Sequence, residues 1–198
     1  AEKAYYALTY YLAQNKSGLD VANDSLIRVA YNYYAKFPKD SLYARCMYYM
    51  GFYYSLNDSL ERANYCLKEA QRTAKVQKDT ATLCLAMTRY SWVVRKTHPE
   101  AGLEYAKRVL GLYEKYSKRN VFNIVYNTLM VCECENFCGN PRRAFSLAQQ
   151  AEKNALALGD STVIKIWPIL RSHLAINAPP TLLYCLVAIL IPALCPND

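Results

Sequence analysis

The sequence predicts an all-α protein, and three observations carry that expectation. Apolar residues recur at helical spacing almost throughout, and no useful length alternates with a period of two. Turn-forming breaks fall at regular places: "NKSGLDVAND", "FPKD", "SLND", "VQKDT", "KTHPE", "YSKRN", "CGNP" and "LGDST". Small residues then return at fixed spacing in successive segments, which is the mark of a repeated packing unit.

Between the breaks lie segments of about 14 to 20 residues, long enough for ordinary globular helices. Asp24-Ser25, Pro99-Glu100, Asn140-Pro141 and Asp160-Ser161 are helix-start signals, an N-cap side chain or a proline in the first turn. Eight helices follow, and a ninth is expected to begin near Ser161.

The segment "MYYMGFYYSLNDSLERANYCLKEA", Met47 to Ala70, shows why the helices should pair. Gly51 lets two backbones approach, Ala63 and Ala70 leave room, and Met47, Tyr54 and Leu67 fill the space between. Downstream, "PEAGLEYAKRVL" puts Gly102, Ala106 and Val109 at the matching spacing, and "PRRAFSLAQQAEK" puts Ala144, Ala148 and Ala151 there. The steps from Ala63 to Gly102 and on to Ala144 are 39 and 42 residues.

In these positions the chain resembles tetratricopeptide-repeat (TPR) proteins, although both steps exceed the 34-residue period of that family. The resemblance covers residues 1 to 170 and is strongest in the quoted repeat. It implies a TPR-like α-α superhelix of about three to four helix pairs over residues 1–177, followed by a distinct segment at 178–198. The phrase "YYALTYYLAQNKSGLDVANDSLIRVAYNYYAK" also resembles the opening of envelope-associated TPR lipoproteins and regulators of Bacteroides-type bacteria. That narrower resemblance implies a bacterial cell envelope location, periplasmic or membrane-anchored, and an export signal ahead of Ala1; the alternative is cytoplasmic.

Composition excludes several function classes. Hydrophobic residues make up 53% and charged residues 20%, an ordinary soluble balance. The net charge of +8 is scattered in small clusters such as Arg95-Lys96 and Arg142-Arg143, without the sustained basic stripe that nucleic-acid binding needs. The sequence contains no glycine-rich phosphate loop and no Gly-x-Ser-x-Gly elbow. His98 lies in a turn and His173 near the ninth helix, neither in a context suggesting a catalytic base. Enzymatic activity and cofactors are therefore not expected.

Eight cysteines occur, but a chain this long and helical has no need of disulfide staples. Cys46, Cys66 and Cys84 stand among apolar or small residues and read as buried thiols. "CECENFC" brings Cys132, Cys134 and Cys138 close in sequence, but without the paired CxxC spacing or nearby histidine of a structural zinc site. A core role is expected for them, with metal or redox chemistry as the alternative.

In a TPR-like array the first helix of each pair builds the inner wall. Taking Gly51 as reference, the wall would present Arg45, Tyr48 and Phe52, then Met87 and Ser91, then Tyr126, Leu129 and Glu133, with Tyr11 added from the first pair. This wall is largely apolar and aromatic, with Arg45 as the one cation placed to meet a carboxylate. The expected function is thus a non-enzymatic scaffold that binds a partner peptide or helix in the groove. The alternative is the sensor arm of a membrane-associated signalling or transcriptional regulator whose effector domain lies outside this chain.

From Ser172 to Asn197 no Asp, Glu, Lys or Arg occurs, and "LLYCLVAILI" spans Leu182 to Ile191. Three readings stay open: a packed final helix, the start of a membrane segment, or an altered terminus. Residues 181–195 would form a helix of ~22 Å, short of a ~30 Å hydrocarbon core, which favours packing.

Overall fold

The computed structural model describes residues 1–16, 23–116 and 121–158. Among them are eight α-helices and no strand. The chain divides into two compact units at Thr97 and His98. The expected ninth helix and the apolar run at 182–191 lie outside the described residues.

The first unit holds α1 (Glu2–Lys16), α2 (Ser25–Tyr34), α3 (Tyr43–Leu56), α4 (Leu60–Gln77) and α5 (Thr80–Val94). Each packs on its neighbour in chain order, and α3 also meets α5. The tightest seam is α3 on α4, built as the small-residue spacing requires. Gly51, Ala63 and Ala70 are buried, and Met47 and Leu67 fill the space beside them. Tyr54 departs from the expectation. It is only half-buried and lines an open cavity, with the Arg62 guanidinium 5.7 Å from its ring centre.

Local chemistry sets the corner between α4 and α5. Lys78 adopts the left-handed conformation, φ 58°, and the Asp79 N–H donates back to the Ala74 carbonyl at 2.9 Å. Asp79 then caps α5, its carboxylate accepting from the Thr82 N–H at 3.0 Å. One residue ends a helix and the next begins another, so the corner is short.

The second unit holds α6 (Pro99–Tyr116), α7 (Val121–Phe137) and α8 (Pro141–Leu158), with α7 packed on both others. Three helices start where the sequence signals them, at Ser25, Pro99 and Pro141. Gly139, φ 77°, turns the chain from α7 into α8. Cys132 occupies the small-residue position equivalent to Gly51 and is fully buried with Val125, Leu129, Ala144 and Ala151. Cys134 packs with Ala106 and Val131 in a neighbouring cluster.

Glu135 is the principal polar feature of this unit. Its side chain is 1% exposed, yet it meets Lys107 Nζ at 2.9 Å from α6 and Arg143 Nε at 3.3 Å from α8. The Asn140 side-chain amide also donates to it at 3.1 Å. Burial pushes the carboxyl upward, but these hydrogen bonds and the two cations outweigh it and hold the group below its ordinary value.

Candidate functional site

The wall expected from the sequence is distributed over both units. In the first, Tyr11, Tyr48, Met87 and Ser91 are buried, while Arg45 and Phe52 are half-exposed. In the second, Leu129 is buried, and Tyr126 and Glu133 are half-exposed on the same helix, α7. Tyr11 packs edge-on against Tyr49 with ring centres 5.8 Å apart, and burial pushes its phenol up to about 12.

On α3 and α5 the structure brings together a set of side chains that their sequence positions do not join. Arg89 Nε donates to Ser55 Oγ at 2.7 Å, and the hydroxyl itself donates to the Phe52 carbonyl. The Arg89 guanidinium lies 4.4 Å from the Phe52 ring centre and 4.6 Å from that of Trp92. A cation held between two aromatic faces keeps its charge while its apolar plane is covered. Arg95 and Lys96 approach Trp92 as well, at 5.3 and 4.6 Å, and Lys96 pairs with Asp58 at 3.2 Å. Phe52, Arg89 and Trp92 form a half-exposed strip, with Lys96 exposed beside it and Arg95 buried beneath.

Arg45, the cation singled out from sequence, lies 4.0 Å from the Asp79 carboxylate that caps α5. Arg89 is the positive group that Phe52 and Ser55 position directly. Its sequence position hides this, because it falls two residues from Met87 and off the apolar stripe of α5.

Among the described thiols, burial disfavours the reactive thiolate at Cys46, Cys66 and Cys132. Burial pushes Cys46 and Cys132 up to about 12 and Cys66 up to about 11. No cluster of metal-ligating side chains occurs among the described residues. No described helix is long and apolar enough to cross a membrane.

Comparisons with known proteins bear on the fold. No protein-family model matches the chain, and no curated protein matches it. Among solved structures it is similar to the crystal structure of aspartyl phosphate phosphatase F from Bacillus subtilis. The TM-score is 0.68 at 14% identity, over 86% of this chain and 45% of that one. The chain therefore spans less than half of that protein's length. At this identity the similarity shows the fold alone: consecutively packed helices of the TPR-like class. The narrower resemblance to envelope lipoproteins gains no support from these comparisons.

Proposed function

We propose that the chain is a non-enzymatic protein-interaction module that holds a segment of a partner protein against α3 and α5. The observation that carries this reading is the Phe52–Arg89–Trp92 stack. It combines rigid aromatic area with an arginine, the side chains in which binding energy concentrates at protein interfaces. The surrounding charge favours a partner segment with apolar anchors and at least one acidic residue, since half-exposed Arg89 and exposed Lys96 both lie near Trp92.

A photo-crosslinking amino acid tests this when placed at position 52 and, as a control, at the exposed position 76 of α4. The expected result is a discrete partner adduct from position 52 and none from position 76. Equal or absent adducts at both positions would remove the case for this strip. The absence of catalysis is tested separately with a protein carrying an aspartyl phosphate, whose rate of dephosphorylation the chain should leave unchanged.

We propose as a second reading that the module is the sensing part of a larger regulator whose effector domain lies outside this chain. Association of a partner would then alter an effector domain in the same polypeptide. Expression of the full gene product, with and without the crosslinked partner, separates the two readings.

A further inference from the structure

A cavity of about 460 Å³ opens between α2, α3 and α4, on side chains that the α3–α5 strip does not use. Buried Met50 and Cys66 form its floor, and Tyr31, Tyr54 and Tyr65 supply aromatic walls. Its volume and largely aromatic lining are those of a small-molecule site. Two charged side chains of the first turn of α4, Glu61 and Arg62, complete the lining.

Those two charges determine what the cavity suits. Arg62 is stacked on Tyr54, which covers one face of the guanidinium and leaves its N–H edge available. No carboxylate among the described residues pairs with Arg62, and no cation among them pairs with Glu61. Adjacent residues on a helix point about 100° apart, so the two charges are separated along the rim and do not neutralise each other in a direct pair. A pocket with an aromatic body, one open cation and one open anion is complementary to a ligand with an apolar body and both charges.

We propose that this cavity binds a free α-amino acid with an aromatic or large apolar side chain. The side chain lies between the tyrosines above Met50 and Cys66, the carboxylate meets Arg62, and the ammonium meets Glu61. Burial and the neighbouring thiols and phenols push the Tyr31 phenol upward, so it stays neutral and can donate to the ligand.

Calorimetric titration of the whole chain with L-phenylalanine, phenylalaninamide and N-acetylphenylalanine tests this directly, followed by tyrosine, tryptophan and leucine. The expected result is saturable binding of at least one free amino acid, with both capped analogues weaker by about tenfold or more, as loss of a charge-assisted contact implies. Arg62→Gln should abolish the preference over the amide, and Glu61→Gln the preference over the N-acetyl form. Both positions are exposed, so the variants should fold, which circular dichroism verifies. The proposal is overturned if none of the four amino acids binds the parent chain, if the capped analogues bind as well as the free forms, or if both variants keep the parent's preferences.

Discussion

Leu67 of α4 lies so close to Gly51 of α3 that a Cβ at position 51 would stand 2.7 Å from Leu67 Cγ and 3.2 Å from the Leu67 amide nitrogen. This approach lets the aromatic-rich helix α3 lie flush on its partner. Gly51→Ala therefore has two opposing effects: overpacking costs about 1–3 kcal/mol, and better helix propensity returns about 1 kcal/mol. The expected outcome is a net loss of about 1 kcal/mol in denaturant unfolding, most of it recovered in a background carrying a smaller residue at 67.

Gly111 supplies the contrast. It is exposed in α6, and a Cβ added there would meet no atom within 4 Å, so nothing opposes the propensity gain. Gly111→Ala should stabilise the protein by about 0.5–1 kcal/mol in the same unfolding assay.

Lys78 holds a left-handed conformation that a side chain disfavours by about 1–2 kcal/mol. Lys78→Gly should raise the thermal midpoint by a few degrees, partly offset by the greater freedom of glycine when unfolded. Lys78→Ala, which keeps the strain, should not. Equal effects of the two substitutions would show that the lysine side chain, and not its backbone conformation, matters at this corner.

Glu135 makes stability depend on pH. Its carboxyl is held below the ordinary glutamate range, so the native state favours the ionised form. The stabilisation is fully present above the unfolded-state value of about 4.3 and is lost as pH falls through the depressed folded-state value. Glu135→Gln should lower stability at neutral pH by about 1–3 kcal/mol, because a buried carboxylate paired with two cations and accepting from the Asn140 amide is replaced by a neutral group. The variant should also lose part of the acid sensitivity that the parent shows as pH falls below the ordinary glutamate range, measured as unfolding midpoint against pH.

The parts of the fold that depend on volume and period were legible in the sequence. Gly51, Ala63 and Ala70 declare a close helix seam by size alone, and Pro99 and Pro141 mark where helices start. The candidate site was less legible because it is made by long-range pairs. Arg89 finds Ser55 across 34 residues, and nothing local to either residue signals it. The segment "CECENFC" is conspicuous for its thiols, whereas its organising residue is Glu135, whose partners come from α6 and α8. Tyr54 was readable as a wedge from the repeat pattern, but its half-exposure depends on Arg62 and the neighbouring α2, which the pattern does not specify.

Thiol reactivity offers a further check on the core. Cys138 is half-exposed, while Cys46, Cys66 and Cys132 are buried and pushed well above the ordinary thiol range. Among these four, mass-mapped alkylation at about pH 8 should label Cys138 first, with the other three reacting only on unfolding. Early labelling of Cys132 would contradict the packing of α7 on α8.

The interaction role of the α3–α5 strip is tested most directly by titrating the partner segment identified by crosslinking against the parent chain and Phe52→Ala/Arg89→Ala. Circular dichroism and melting first establish that the variant remains folded. The expected result is an affinity loss of at least about tenfold in the variant, with a further weakening on raising salt that is larger for the parent than for the variant. Equal affinity and equal salt dependence in the two proteins would contradict a binding role for this strip.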